Sequence, residues 1–262
     1  MECRLNDRVV WITGGSEGIG RAIAGAMSAA GAKVAVSGRD QGPIDETVAA
    51  ITDAGGTAIG VACDVLESDE VREAIERVAG EWGRLDCVVA NAGTNGTWAP
   101  VEELTPEEWD LTLGVNLRGT YLCAHHAAAH LKKRGGSFLI VASINGTRVF
   151  SNTGASAYAT SKAGQLAFGK MLALEWAPAK VRVNVICPGA IDTGIHEKTE
   201  RRDLDEVTTP VEFPEGNMPL IDDLMGDPAK VANAAVFLAS DAASLITGTP
   251  IWIDGAESLL QG

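Results

Sequence analysis

The feature of this chain that most limits its possible folds is a regular alternation of short apolar runs with longer helical patterns. The runs are rich in valine and isoleucine and are continuously apolar, which is typical of strands covered on both faces. The runs are Val9–Thr13, Lys33–Ser37, Thr57–Ala62, Cys87–Ala90, Ser137–Ala142, Val181–Cys187 and Pro250–Ile253. The helical patterns cover about residues 18–30, 43–54, 68–82, 106–133, 155–177 and 228–240.

Alternating strands and helices force parallel pairing with right-handed crossovers, which place helices on both faces of one sheet. We therefore predict an α/β, doubly wound Rossmann fold with a central parallel sheet of about seven strands. No linker, low-complexity stretch or shift of composition divides the chain. We expect residues 1–262 to form a single domain that needs no disulfide or structural metal.

The charge balance and the N-terminus exclude several classes of partner. A formal net charge of −14 argues against nucleic acid and against an acidic membrane surface. The chain enters a strand pattern directly, without an apolar signal region, and no apolar run approaches the ~18 residues that span a bilayer. We therefore expect a cytoplasmic protein with no nucleic-acid or membrane partner.

The cysteines and histidines argue against a metal site. The five cysteines form no CxxC pair, and the four histidines have no metal-ligand spacing with them. Cys63, Cys87 and Cys187 lie in or beside apolar runs and are interpreted as small core residues of a reducing compartment. We predict no bound metal.

The first apolar run leads into a glycine-rich turn and then into a helical pattern. Its residues, TGGSEGIG at 13–20, place Gly14, Gly18 and Gly20 in a G-x-x-x-G-x-G variant of the dinucleotide fingerprint. Such glycines let the backbone turn tightly and approach a pyrophosphate on the helix N-terminus. A βα turn can also collect glycine for purely structural reasons, but the position at the first junction favours a dinucleotide site.

The end of the second run bears on which dinucleotide is bound. At this point of the fold an acidic residue binds the adenosine ribose 2′-hydroxyl, whereas an arginine accommodates a 2′-phosphate. Arg39 follows Gly38 here and favours NADP(H). The neighbouring Asp40, and Glu17 inside the glycine-rich turn, leave NAD(H) open. A solvated loop arginine is the alternative interpretation of Arg39.

Two further strand ends carry candidate ligand-binding residues, because open α/β sheets bind ligands at the carboxyl ends of their strands. Asp64 and Val65 follow the third run, and Asn91, Ala92 and Gly93 follow the fourth. Asp64 can accept a hydrogen bond from an adenine amino group. Asn91 can contribute to the site or can serve only to tie neighbouring strands together.

Candidate chemistry lies further along the chain, in Ser143, Tyr158 and Lys162. Tyr158 and Lys162 stand one turn apart on one face of the predicted helix at 155–177. An ammonium beside a phenol lowers its pKa from the ordinary value of about 10, so the phenol can exchange a proton with a substrate oxygen. Ser143 can hold the same oxygen. Such a pair is common on helices, and the assignment rests on the joint order of all these motifs.

In that combination the sequence resembles the classical short-chain dehydrogenases/reductases over essentially its whole length. The matching motifs are TGGSEGIG (13–20), CDV (63–65), NAG (91–93), VNL (115–117), Ser143, YATSK (158–162) and PGAIDT (188–193). The resemblance implies hydride transfer between NAD(P)(H) and a small carbonyl or secondary alcohol. It also implies a homotetramer, with helices 106–133 and 155–177 at one interface.

The resemblance further implies roles for single residues. Tyr158 would be the acid/base and Ser143 the carbonyl positioner, while Lys162 would bind the nicotinamide ribose and lower the tyrosine pKa. Asn116 would support a water between Lys162 and solvent, although within its predicted helix it is only a poor helix former. The candidate cofactor residues are Gly14, Ser16, Gly18, Ile19, Gly20, Arg39, Asp64, Val65, Asn91, Ala92, Gly93, Tyr158, Lys162, Pro188, Gly189, Ile191 and Thr193.

Two segments bear on the substrate. The segment between Ser143 and Tyr158 looks a little longer than is common in the family, with residues 148–152 in the extension. The acidic residues 194–226 occupy the place of the family's variable substrate lid. We expect the stretch 194–218 to move easily and to close over the ligands as a gate, the alternative being a surface loop that never touches them.

The rival enzymatic activity is 3-oxoacyl-carrier-protein reduction, although a chain with a net charge of −14 would repel an acidic carrier protein. A non-catalytic NADP-binding sensor or scaffold is the alternative of another class.

Overall fold

A seven-stranded parallel sheet forms the centre of the computed structural model, which describes residues 3–195, 197, 199–207, 218–221 and 225–261. Its strand order is β3-β2-β1-β4-β6-β7-β9, and β5 and β8 form a separate two-stranded sheet. The strands are β1 Val9–Thr13, β2 Lys33–Gly38, β3 Thr57–Ala62, β4 Cys87–Ala90, β5 Thr97–Trp98, β6 Gly136–Val141, β7 Val181–Pro188, β8 Glu200–Arg201 and β9 Pro250–Ile253.

Helices cover both faces of this sheet and complete the predicted doubly wound fold. They are α1 Gly18–Ala29, α2 Gln41–Asp53, α3 Ser68–Trp82, α4 Pro106–Leu113, α5 Gly119–Arg134, α6 Ser156–Trp176, α7 Pro228–Ala239 and α8 Glu257–Gln261. Short 3-10 turns cover Ala177–Ala179, Leu204–Glu206 and Asp241–Ala243. The order reverses between β1 and β4, and such a switch point is where open α/β sheets bind their ligands.

The core has two halves, one on each face of the sheet. In β1, Val9 and Trp11 pack into the half formed with α3, α5 and α6, whereas Val10 and Ile12 pack into the half formed with α1, α2 and α7. Successive side chains of a strand point to opposite faces, so a strand covered twice must be apolar throughout. This explains why the central strands appear in the sequence as continuous apolar runs.

The sequence predicted the main elements closely. Every predicted strand lies within one residue of its observed bounds, and the predicted helix starts at Thr105 and Asp227 are confirmed by side-chain caps. The short β5 and β8 and the five-residue α8 were not predicted, because pieces of two to five residues carry no usable periodicity.

One predicted helix differs in detail from the structure. The stretch 106–133 is not one regular α-helix, because Gly114–Arg118 form a π-helical turn between α4 and α5. A π turn inside an α-helix is rare and occurs frequently at functional sites. Asn116, expected only as a poor helix former, lies in the middle of this turn and is completely buried.

The described residues contain neither a membrane-spanning helix nor a cluster of metal ligands. None of their helices is long and apolar enough to cross a membrane. No three of their His, Cys, Asp and Glu side chains are grouped so that they could hold a metal ion. Cys63, Cys87 and Cys187 are buried as free thiols, as predicted for core residues.

Candidate active site

A single cavity of about 690 Å³ brings nearly all the candidate residues together. It lies at the carboxyl ends of the central strands and is lined by residues that follow β1, β2, β3, β4, β6 and β7. All the candidate cofactor residues line it except Gly20, and all the candidate catalytic residues line it except Asn116. Sequence motifs far apart in the chain therefore form one site.

The glycine-rich turn after β1 leaves room for a phosphate group. Gly14 and Gly18 have φ of +58° and +48°, a left-handed conformation that favours glycine. A Cβ at Gly20 would collide with the Gly14 carbonyl oxygen, so a glycine is required here for packing, although it does not line the cavity. Gly18 and Ile19 begin α1 at the cavity wall, where unsatisfied N–H groups favour an anion. These residues fit a bound dinucleotide pyrophosphate.

The adenosine end of the cavity lies beyond β2 and β3. Arg39 and Asp40 are both exposed at its rim, and among the described residues neither forms an ion pair. The Ser16 hydroxyl lies against Gly38, where an added Cβ would be 2.8 Å from its oxygen. At the end of β3, Asp64 Oδ1 accepts a hydrogen bond from Leu66 N at 2.9 Å, which orients this carboxylate at the cavity wall.

Asn91 ties two strand ends together across the switch point. Its Nδ2 donates to the carbonyl oxygens of Thr13 at 3.0 Å and Gly14 at 2.9 Å. The Thr13 hydroxyl in turn accepts hydrogen bonds from the backbone N–H groups of Asn91 and Ala92, each at 3.1 Å. Asn91 thus has the strand-tying contacts that its position suggested, and it also lines the cavity.

Ser143, Tyr158 and Lys162 meet at the other end of the cavity. Ser143 follows β6 and is 7% exposed, and Tyr158 is half-buried in the first turn of α6. Lys162 lies one turn further along α6, and its Nζ is 5.5 Å from the centre of the Tyr158 ring. The same Nζ donates to the Val141 carbonyl oxygen at 3.0 Å, so the ammonium is fixed between β6 and α6.

Burial dominates the electrostatics of this group. Burial raises the pKa of the Tyr158 phenol, and a hydrogen bond with Ser143 lowers it only in part. Burial also lowers the pKa of Lys162 to about 8. Lys162 is not among the causes of the shift, because its ammonium donates to the Val141 carbonyl oxygen rather than to the phenol. The expected lowering of the tyrosine pKa by Lys162 therefore stays a prediction.

Asn116 stands behind the site and does not line the cavity. Its Nδ2 donates to Thr94 O and to Ser161 Oγ, each at 2.9 Å, and its Oδ1 accepts from Thr94 N at 2.8 Å. The side chain thereby joins the π turn to the segment after β4 and to α6. Its expected support of a water between Lys162 and solvent remains a prediction.

Gln165 is a buried residue of this region that the sequence reasoning missed. Its Nε2 donates to the main-chain oxygen of Asn116 at 2.8 Å and to Thr120 Oγ1 at 2.7 Å. Its Oε1 has no hydrogen-bond partner among the described residues, which is uncommon for a buried polar atom. The sequence did offer one sign of this residue, because Gln165 follows Lys162 by three positions and lies on the same buried face of α6.

The nicotinamide end expected from the resemblance is the turn after β7. Pro188, Gly189, Ile191 and Thr193 all line the cavity. Glu257, not predicted from sequence, holds this turn because its Oε2 accepts a hydrogen bond from Ala190 N at 2.7 Å. An added Cβ at Gly189 would collide with the same oxygen, so the glycine permits the contact. Further on, Ile191 pairs with Gly226, which closes the base of the following segment.

Several contacts hold the described part of that segment in place. Strand β8 pairs with β5, Asn95 Nδ2 donates to Thr199 Oγ1 at 2.7 Å, and Arg202 forms an ion pair with Glu108 at 3.0 Å. Arg202 holds the pKa of Glu108 down to about 2. These contacts hold residues 199–204, whereas positions 208–217, with Pro210 and Pro214, lie outside the described residues. The expectation that 194–218 moves easily stays a prediction.

Two residues of this small sheet face the catalytic group. The Trp98 and Tyr158 ring centres are 6.5 Å apart, and the Arg201 guanidinium lies 5.4 Å from the Trp98 ring centre. Asn145 and Asn152, joined by a 2.7 Å hydrogen bond, line the same end of the cavity. Sequence reasoning missed Trp98 and Arg201, because nothing local links positions so distant in the chain.

Comparison with known proteins places this fold and site in a family. The family model described as enoyl-(acyl carrier protein) reductase matches residues 14–256. The chain is 34% identical to D-threitol dehydrogenase of Mycolicibacterium smegmatis over 256 residues, which cover 98% of this chain and 95% of that protein. The chain therefore belongs to the classical short-chain dehydrogenase/reductase family and is an NAD(P)-dependent oxidoreductase.

Solved structures agree with this assignment. A 3-ketoacyl-ACP reductase from Sinorhizobium meliloti 1021 superposes with a TM-score of 0.91 at 44% identity, covering 96% of this chain and 99% of that one. A 3-ketoacyl-(acyl-carrier-protein) reductase from Brucella melitensis, solved as a complex with NADH, has a TM-score of 0.85 at 32% identity and covers 97% and 99%. The predicted Rossmann fold is confirmed by these superpositions.

Proposed function

We propose that this protein transfers hydride between a nicotinamide cofactor and a small carbonyl or secondary alcohol, with Tyr158 as the acid/base. One observation carries the proposal. Ser143, Tyr158 and Lys162 converge at one end of the cavity whose other end is the glycine-rich turn. A cofactor that spans the cavity can thus reach a substrate held at Tyr158. The bound cofactor supplies the hydride donor or acceptor.

The protein's own residues supply the proton and the orientation. In reduction the Tyr158 hydroxyl donates its proton to the substrate oxygen, and in oxidation the phenolate accepts it. Ser143 donates a hydrogen bond to the same oxygen and fixes the carbon in place. Lys162 is proposed to bind the nicotinamide ribose. Asn116 is proposed as a positioning residue that acts through the π turn and α6.

We propose NADP(H) as the favoured cofactor, with NAD(H) possible. The support is Arg39, an exposed cation at the adenosine rim of the cavity that forms no ion pair with the described residues. Asp40 lies beside it at the same rim and is the group that would favour NAD(H). The remaining cofactor contacts are proposed for the other cavity-lining candidates, from Gly14 to Thr193.

A homotetramer and a substrate gate belong to the same proposal. Tyr121 on α5 and Met171 and Leu174 on α6 are 46%, 60% and 76% exposed, which supports an interface on these helices. For the gate, residues 194–218 are proposed to close over the substrate, with the paired residues 199–204 as its anchor, although positions 208–217 lie outside the described residues.

Two other functions are separated from this one by a substrate screen. Reduction of carrier-bound 3-oxoacyl groups is favoured by the resemblance to the 3-ketoacyl-ACP reductase structure and opposed by the net charge of −14. Free ketones, ketoesters, polyols and a carrier-bound 3-oxoacyl substrate, assayed in parallel, distinguish the two enzymes. A non-catalytic sensor would bind the cofactor and turn over none of them.

Replacement of Tyr158 tests the proposed chemistry. Tyr158→Phe should keep cofactor binding and lose at least ~10²-fold in turnover, the usual worth of a positioned proton-transfer group. Turnover is measured by nicotinamide absorbance with a substrate found for the wild type, and cofactor binding by direct titration. The matched control is Tyr121→Phe, which removes the chain's other tyrosine hydroxyl, on α5 and outside the residues that line the cavity. Near-normal turnover of Tyr158→Phe would refute the assignment.

A further inference from the structure

Among the residues that the structure describes, three cationic side chains line the cavity, and only one of them is available to a substrate. Arg39 lies at the adenosine rim beyond β2, remote from the catalytic group. Lys162 is buried, and its Nζ is bonded to the Val141 carbonyl oxygen. Arg201, on β8, lies at the Tyr158 end.

The geometry of β8 explains why Arg201 faces the cavity. Successive side chains of a strand point to opposite sides. Glu200 and Arg202 share one side, where they lie 3.9 Å apart and Arg202 also pairs with Glu108. Arg201 takes the other side, over the Trp98 ring, and forms no ion pair with any described residue. Its neighbours therefore have partners, while its own charge faces the cavity.

The backbone of Arg201 is held in place by β5. Trp98 and Arg201 are paired in the two-stranded sheet, and Arg202 N donates to Trp98 O at 3.0 Å. Trp98 is 8% exposed, and its ring centre lies 6.5 Å from the Tyr158 ring centre and 5.4 Å from the guanidinium. All three side chains line the cavity, so a small substrate whose reacting oxygen is at Tyr158 can reach Arg201 along the wall that Trp98 forms.

We infer that Arg201 binds a carboxylate of the substrate, remote from its reacting carbon. A guanidinium binds a carboxylate through two parallel hydrogen bonds, and its position over an aromatic ring restrains the side chain beforehand. In a chain with a net charge of −14, an anionic substrate needs such a local cation. This inference rests on the proposed function and names its substrate class as oxo acids and hydroxy acids.

The test compares an acid with its neutral ester. The probes are 4-oxocyclohexanecarboxylate and its methyl ester, which present the same ketone with and without the charge. The wild type should prefer the acid by about tenfold or more in kcat/KM, as a charge-assisted hydrogen bond implies. Arg201→Met should abolish that preference through KM and change the ester by less than about twofold, and Arg201→Lys should retain part of it.

Arg77→Met is the matched control, because it removes the same charge from an exposed position on α3. It should leave the acid preference intact, and the thermal unfolding of both variants verifies that they are folded. Equal use of acid and ester by the wild type, or equal loss on both with Arg201→Met, overturns the inference. If the enzyme still reduces the ester in either case, the proposed hydride transfer is supported even though the role of Arg201 is refuted.

If the enzyme reduces neither probe, a binding measurement can still test the role of Arg201. Calorimetric titration with cyclohexanecarboxylate and with cyclohexanecarboxamide should show binding of the acid only, lost in Arg201→Met and retained in Tyr158→Phe. No difference between acid and amide overturns the inference. A third arm uses acetoacetyl-CoA, which carries phosphates but no carboxylate. If only this thioester depends on Arg201, the anion bound is a phosphate and the carboxylate assignment is wrong.

Discussion

At the scale of single residues, the site combines groups that burial affects in opposite ways. Burial raises the pKa of the Tyr158 phenol and lowers the pKa of Lys162 to about 8. A protonated phenol is the form that donates a proton to a substrate oxygen in reduction. The sequence predicted that these two side chains lie together, but not how deeply the fold buries them. Depth of burial depends on β6 and the turn after it, which no local pattern describes.

The lowered pKa of Lys162 predicts a cost in stability. Below a pH of about 8 the folded protein must hold a buried ammonium, whereas the unfolded chain keeps its proton up to a pH of about 10.5. Lys162→Met should therefore raise the free energy of unfolding at pH 7 by roughly 1–3 kcal/mol, although activity is lost. The gain should shrink as the pH rises from 8 toward 10.5, where the wild type no longer carries this charge.

Denaturant unfolding at several pH values measures this effect. Lys170→Met is the control, because Lys170 is exposed on the same helix and its removal should leave stability nearly unchanged. A Lys162→Met protein that is less stable than the wild type at pH 7 would contradict the prediction.

Arg39 carries the prediction on cofactor choice. Arg39→Ala should weaken NADPH far more than NADH, by roughly 1.5–3 kcal/mol, because only NADPH has the 2′-phosphate that this arginine would bind. Fluorescence titration of both cofactors gives the two affinities. Arg21→Ala, which removes an exposed arginine on α1, is the charge control. If the wild type already prefers NADH, Asp40 becomes the candidate ribose ligand.

At the scale of elements, the regular helices and strands were predictable and the irregular ones were not. The strands of the central sheet are apolar throughout because helices cover both sides, so their pattern is strong. The sequence contains only one sign of the π turn at Gly114–Arg118, namely Asn116, which has a low helix propensity within a helical pattern. The pairing of β5 with β8 joins residues about a hundred positions apart, and two-residue strands have no periodicity.

The anchored piece 199–204 sharpens the prediction for the proposed gate. In the free protein its backbone N–H groups should exchange slowly, because β8 is paired with β5 and Arg202 holds Glu108. In a complex with cofactor and substrate, further protection should spread over residues 194–218. Hydrogen exchange followed by mass spectrometry measures both. Unchanged rapid exchange of the stretch beyond residue 204 in the complex would exclude a gate.

At the scale of the whole molecule, one site draws on residues from Gly14 to Glu257. The sheet order brings the ends of β1 and β4 together, so motifs separated by more than seventy positions line one cavity. The sequence predicted most of the cofactor side, because those residues follow strands at the carboxyl edge of the sheet. The sequence did not predict Trp98 and Arg201 on the substrate side, or Glu257 beside the turn after β7, because they belong to short elements whose relevant contacts are tertiary.

Because β5 pairs only with β8 in the part of the chain that the structure describes, the residues proposed for substrate recognition and those proposed for hydride transfer belong to different sheets. The glycine-rich turn, Ser143 and Tyr158 are carried by the central sheet and its helices, whereas Trp98 and Arg201 are carried by a sheet that no other strand joins among the described residues. Because residues 95–98 and 199–202 contact each other, we expect a change of substrate specificity to require substitutions in both segments together. Grafted as a unit onto the same central sheet, they should carry their specificity with them.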